Sequence, residues 1–227
     1  MEKIIEQISG WEYLSQLPAE YAGFALDAGQ SQSGSQYLIF AYKKPKDYRS
    51  FEVLYDKATK DYLARITVGL TEYYDVNYIC GDLASLERTL ALRMAPTLAQ
   101  LADPAGQGYE SIFHDKQIAQ WPYAAELPPT SHGFTRFIDP RTAVKTINGS
   151  YIVIDYSDFA AASNLIVYYN VYRDEFFGEV RLRYTPRMIN LFDARELVDL
   201  AGKLKDNLGT ALEGLRGEIS QGGESLK

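Results

Sequence analysis

At 227 residues, with 46% hydrophobic and 23% charged side chains, the chain suits one large or two small domains and is too apolar to be disordered. Its net charge of −7 divides as −5 over residues 1–110 and −2 over residues 111–227, so neither half offers the concentrated basic surface that nucleic-acid phosphates demand. No stretch approaches the roughly 20 apolar residues of a bilayer span. The opening run MEKIIEQISGWEYL lacks a signal-peptide core, and Cys80, the single cysteine, excludes an internal disulfide and every multi-cysteine zinc site. These observations predict a cytoplasmic protein that does not use a membrane.

In chain order, Ile4, Ile5, Ile8, Trp11 and Leu14 recur at helical spacing over residues 2–16, and Leu17-Pro18 closes that segment. Runs rich in Tyr, Ile, Val and Phe follow at about 22–27, 36–43, 50–56, 61–70 and 74–80, separated by Gly, Ser, Asp and Lys clusters, which predicts a meander of four or five antiparallel strands. Asp82 reads as the N-cap of a helix carrying Leu83, Leu86, Leu90 and Met94 on one face, and Pro96 should kink or interrupt it. After residue 110 the order repeats. Pro122 is expected to break the first helix, residues 132–150 form a longer connection with Asn148-Gly149 as a turn, and Asp193 with Glu196 suggests a capping box. The last helix carries Leu197, Ala201, Leu204, Leu208, Ala211 and Leu215, and residues 220–227 are expected to form a disordered tail.

That repetition extends to individual residues. Gln7, Ile8, Trp11, Tyr13, Leu17, Pro18, Gly23 and Phe24 match residues 110 positions later, from Gln117 to Phe134. Beyond them the offset becomes 114, pairing Tyr37 with Tyr151, Tyr42 with Tyr156, Val53 with Val167 and Tyr55 with Tyr169. Near the second helix an offset of 111 pairs Asp82 with Asp193 and Leu86 with Leu197. The expected fold is therefore α+β, an internal duplication of an α-β(4-5)-α unit over residues 1–110 and 111–219, with helices covering antiparallel sheets.

The residues that could carry chemistry are few. His114 and His132 have no partner in a nucleophile or metal motif and read as surface or loop histidines. Asp56 and Asp61, matched by Asp174 and Glu175, sit at hairpin tips, where acids are common for turn geometry. Asp155, Tyr156 and Asp158 make a second acidic spot at a strand end. The segment from Gly29 to Ser35 is Gly/Ser-rich, but it leads into a strand and lacks the ending of a phosphate loop. Lys43, Lys44, Lys46 and Arg49 read as a solvated turn, whereas Arg181 and Arg183, alternating on a strand near Arg187, suggest a surface for a partner. The paired aromatics Trp11/Trp121, Phe24/Phe134, Tyr42/Tyr156 and Tyr55/Tyr169 read as core.

No catalytic, cofactor-binding or metal-ligating residue is assigned. The leading expectation is a non-enzymatic protein-binding module, an adaptor, chaperone or inhibitor, contacting its partner through Arg181, Arg183 and Arg187. A small-ligand protein with a Tyr-lined pocket, or an enzyme with a dispersed carboxylate/Tyr site, are the alternatives; a deep apolar pocket would favour the former and a perturbed carboxylate in a cleft the latter.

Overall fold

The computed structural model describes residues 1–221. The chain divides into two compact units, the first Met1–Asp103 and the second beginning at Pro104. Each unit holds one antiparallel sheet of seven strands with helices, so the fold is mixed α+β.

In unit one, α1 (Glu2–Ser9) stops at Gly10, and a 3-10 helix (Glu12–Gln16) carries the chain on, so the segment expected to be one helix is two. The sheet follows as β1 (Glu20–Tyr21), β2 (Phe24–Asp27), β3 (Ser31–Ser33), β4 (Gln36–Lys44), β5 (Arg49–Asp56), β6 (Asp61–Val68) and β7 (Thr71–Tyr74). Its order is β1-β2-β4-β5-β6-β7, with β3 folded back on β4. β1 and β3 are too short to show a period and escape sequence reading. The Gly29–Ser35 segment holds β3 and a turn at Gly34, where φ is +57°. Residues 74–80 are not a continuous strand: β7 ends at Tyr74, a 3-10 turn spans Val76–Tyr78, and Cys80 makes a single bridge to Tyr62. Helix α2 (Leu83–Ala102) begins as expected, its N-cap Asp82 accepting from the Ser85 amide at 2.8 Å. The helix runs uninterrupted past Pro96; the carbonyl left without a donor belongs to Leu92, an exposed residue that water can serve.

In unit two, α3 (Ser111–Asp115) is ended by Gln117 at φ +60°, well before Pro122, which instead heads a 3-10 turn (Pro122–Ala125). The strands are β8 (Thr130–Ser131), β9 (Phe134–Ile138), β10 (Val144–Lys145), β11 (Ser150–Asp158), β12 (Ser163–Asn170), β13 (Glu175–Leu182) and β14 (Thr185–Ala194). Their order is β14-β13-β12-β11-β9-β8, with β10 on β11. Asn148 and Gly149 both take positive φ, the left-handed pair a tight turn needs. Helix α4 (Leu197–Gln221) starts after Glu196; Asp193 lies inside β14, so the capping box does not form. Ser220 and Gln221, expected in the tail, are helical, and residues 222–227 lie outside the described residues.

The internal registers of the two sheets correspond at one spacing. Tyr37 faces Tyr55 across β4 and β5, as Tyr151 faces Tyr169 across β11 and β12, and the bulge at Leu38/Phe40 recurs at Ile152/Ile154. The Tyr62–Cys80 bridge recurs as Phe176–Ala194. Buried Leu86, Leu90, Met94, Leu98 and Leu101 of α2 stand 114 positions before buried Leu200, Leu204, Leu208, Leu212 and Leu215 of α4. At the second helix the buried positions thus recur at a spacing of 114 and not at the expected 111, and Asp193 lies in β14 whereas Asp82 caps α2.

The core of unit two joins those leucines to Tyr151, Val153, Tyr156, Leu165, Val167, Tyr169 and Phe176 of the sheet. Trp11, Trp121, Phe24 and Phe134 are all buried.

Candidate functional site

An open groove of about 1370 Å³ lies in unit two between β13, β14 and the start of α4. Its origin is a mismatch in the ladder. Phe176 pairs with Ala194 and Gly178 with Ile189, so Asn190, Leu191, Phe192 and Asp193 of β14 stand against Phe177 alone. The surplus arches outward. Phe192 turns back into the core, while Lys203 of α4 donates to the Asp193 carbonyl and ties helix to arch. Apolar surface remains on the outside: Met188 is 59% exposed, Val198 77% and Leu191 40%. Arg195, Asp193, Asp199 and Asp206 line the polar wall, and Arg173 pairs with Glu175 at 3.0 Å.

β14 is also the terminal strand of its sheet. Among the described residues it pairs with β13 and with no other strand, which leaves one edge of a ten-residue strand open. The matching terminal strand of unit one, β7, has four residues.

The three arginines expected at a partner surface are not brought together. Arg181 and Glu179 form an ion pair at 2.6 Å with side chains only 14% exposed, and Arg181 also reaches the Tyr168 hydroxyl at 3.3 Å. Arg183 leaves the strand: with Tyr184 it takes positive φ and makes the hairpin turn to β14. Alternation on one face therefore fails, because i, i+2 spacing shares a face only in extended backbone. Arg187, on β14, pairs with Glu218 of α4 at 2.7 Å. Arg183 and Arg187 do line a common shallow recess with Glu218.

The acidic spot of β11 is likewise divided. Asp155 is fully buried, accepting from Ser157 Oγ at 2.7 Å and from Asn164 Nδ2. Burial pushes its carboxyl up to about 6, against the opposing pull of the Ser157 and Asn164 hydrogen bonds and the Arg181 charge. Asp158 faces elsewhere and pairs with Arg216 at 2.8 Å, and the Tyr156 hydroxyl donates to the Pro128 carbonyl at 2.7 Å. A buried carboxylate inside a sheet is a structural group with no access for substrate. The hairpin acids are engaged locally: Asp56 accepts from the Ala58 amide, Glu175 pairs with Arg173, and Asp174 is held by Lys116 and Tyr169. Lys116 and the Tyr169 hydroxyl keep the Asp174 carboxyl below the ordinary range.

His114 and His132 are exposed, in α3 and in the β8–β9 turn. In the basic turn Lys43 pairs with Asp27, Lys44 with Asp47, and Arg49 donates to the Leu101 carbonyl, so three of its four cations serve the fold. Among the described residues no group of three His, Cys, Asp or Glu is placed to hold a metal, and no helix is long and apolar enough to cross a membrane. Comparison with known proteins gives no match: no protein-family model, no curated protein and no solved structure is similar to this chain.

Proposed function

We propose that this protein is a non-enzymatic binding module for another protein, cytoplasmic and built by internal duplication, and that unit two takes an extended segment of its partner along β14. The observation that carries the reading is the open ten-residue edge of β14 beside a groove with exposed Met188, Leu191 and Val198. An unpaired edge supplies backbone donors and acceptors for a further strand, and neighbouring apolar recesses select its side chains. Soluble proteins blunt such edges with Pro, charge and bulges; Pro186 and Arg187 stand at the start of this one and the arch over Asn190–Asp193 interrupts its end, so a partner strand would pair with the stretch around Met188 and Ile189. Duplication is supported by pairings and core positions that recur 114 residues apart. Of the arginines, Arg183 and Arg187 flank the edge and remain candidates for contacting the partner, while the ion-paired Arg181 is assigned to the fold.

The test is capture of partners from the native host by the parent chain, by Met188→Asp/Leu191→Asp, and by Leu92→Asp, whose side chain is exposed on α2 of unit one. We expect the first variant to lose the captured protein and the second to keep it, with stability changed by about 0.5 kcal/mol or less in both. Undiminished capture by the edge variant would show that β14 is not the contact.

A further inference from the structure

Unit one contains a smaller cavity of about 610 Å³ at the start of α2, lined by Trp11, Tyr55, Lys60, Tyr62 and Asp82. The rings of Tyr55 and Tyr62 meet at 5.0 Å and are buried, with 7% and 2% of their surface exposed. Neither hydroxyl has a hydrogen-bond partner among the described residues, and Lys60 has no ion pair among them. Although the rings are buried, neither hydroxyl oxygen is itself a buried atom, so both tips reach the solvent of the cavity.

In unit two the matching hydroxyl has a protein acceptor. There Tyr169, 114 positions after Tyr55, donates its hydroxyl to Asp174 Oδ1 at 2.8 Å. Lys116 Nζ closes the arrangement, 2.9 Å from Asp174 and 3.3 Å from Glu196, with its side chain only 13% exposed. At the matching positions of unit one Asp174 becomes Lys60, Glu196 becomes Asp82 and Phe176 becomes Tyr62. Lys116, 110 positions after Glu6 in the register of Trp11 and Trp121, becomes an acid. Unit one thus keeps the tyrosine donor, adds a second in Tyr62, and replaces the carboxylate they would serve by a cation.

We propose that the unit-one cavity binds a small monocarboxylate from solution, its carboxylate accepting from Tyr55 and Tyr62 and facing the Lys60 ammonium, in the role Asp174 plays in unit two. The lining holds one cation, Lys60, and one anion, Asp82, which caps α2 through the Ser85 amide and hydroxyl, both at 2.8 Å; a bound carboxylate is drawn by Lys60 and the two hydroxyls against the opposing charge of Asp82. Trp11 offers an apolar wall for the rest of the ligand. The site rests on the duplication and is independent of the β14 surface.

The probe is sodium benzoate, followed in the full chain by amide chemical shifts, with benzyl alcohol as the uncharged match at constant ionic strength. Benzoate should produce saturable shifts at Gly10, Gly81 and Leu83, and the alcohol should not. Tyr55→Phe/Tyr62→Phe should bind at least about tenfold more weakly, since hydrogen bonds to a charged group are lost; phenylalanine at the second position is what unit two carries. Glu6→Lys/Lys60→Asp rebuilds the trio of unit two and should abolish binding while raising the melting temperature. Equal response to the alcohol, absence of saturable shifts, or undiminished binding in either variant overturns the proposal. Partner capture by the β14 edge has its own readout, so failure of one reading leaves the other standing.

Discussion

Asn164 donates through Nδ2 to both carboxylate oxygens of Asp155, at 3.2 and 3.3 Å, where neither residue is exposed at all. The amide's own Oδ1 has no partner. A protonated Asp155 supplies a donor for that oxygen once the amide turns, so the geometry agrees with a carboxyl raised to about 6 by burial.

The folded state therefore holds this proton more tightly than the unfolded chain, whose carboxyl titrates near 3.9. Its contribution to stability is complete below about pH 4 and is lost as pH rises through about 6. Asp155→Asn should remove that slope. Relative to the parent it should gain up to roughly 3 kcal/mol between acid and neutral pH, measured by urea denaturation across the range. Parallel pH profiles for the two proteins would mean that folding leaves the Asp155 carboxyl unshifted.

The Tyr42 hydroxyl donates to the Pro18 carbonyl at 2.8 Å, and Tyr156 to Pro128 at 2.7 Å. Burial pushes both phenols up to about 12. Each Tyr→Phe change should cost about 1 kcal/mol and delete one late-ionising phenol from an alkaline absorbance titration. A neutral effect at either position would show that water replaces the bond.

Trp121 is buried, and Trp11 donates its Nε1–H to Glu87 at 2.7 Å. Replacing either by Ala should cost roughly 3 to 5 kcal/mol in chemical denaturation. A loss below about 1 kcal/mol would contradict a core role.

At Gly178 an added Cβ would stand 2.9 Å from both Ile189 Cγ1 and Phe192 Cδ2, the residues that shape the β14 arch. Phe192 is fully buried and cannot swing clear. Gly178→Ala should destabilise by about 1 to 3 kcal/mol and disturb the groove, seen as shift changes at Leu191 and Val198. An unperturbed groove would mean that the arch is looser than the packing implies.

The sheets were legible because Tyr, Val, Ile and Phe cluster between turn residues, and because Trp11/Trp121 and Tyr55/Tyr169 repeat in register. The arch was not, since a bulge adds residues to one strand without changing composition: nothing in the run from Met188 to Ala194 marks the four residues that stand against Phe177 alone. Local patterns misled where longer-range packing prevailed. Asp193 and Glu196 have capping-box spacing, but pairing with β13 holds the chain extended through Ala194. Arg181 and Arg183 have strand spacing, but the hairpin reverses at Arg183. The unit-one cavity was invisible for another reason: Tyr55, Lys60 and Asp82 mean little until it is seen that Asp174 answers Tyr169 in the other unit.

In each sheet every strand lies beside its neighbour in the chain or the next but one. Each pairing then closes a short loop, so little chain entropy is spent before contacts reward it. Sheet-rich proteins usually fold slowly because their pairings join distant segments. Here a hairpin has both arms in hand soon after its second strand is synthesised, and the first sheet is complete at Tyr74, before α2 leaves the ribosome. Unpaired strand edges are therefore exposed only briefly during synthesis, apart from those of the terminal strands β1, β7, β8 and β14, of which β14 is the longest.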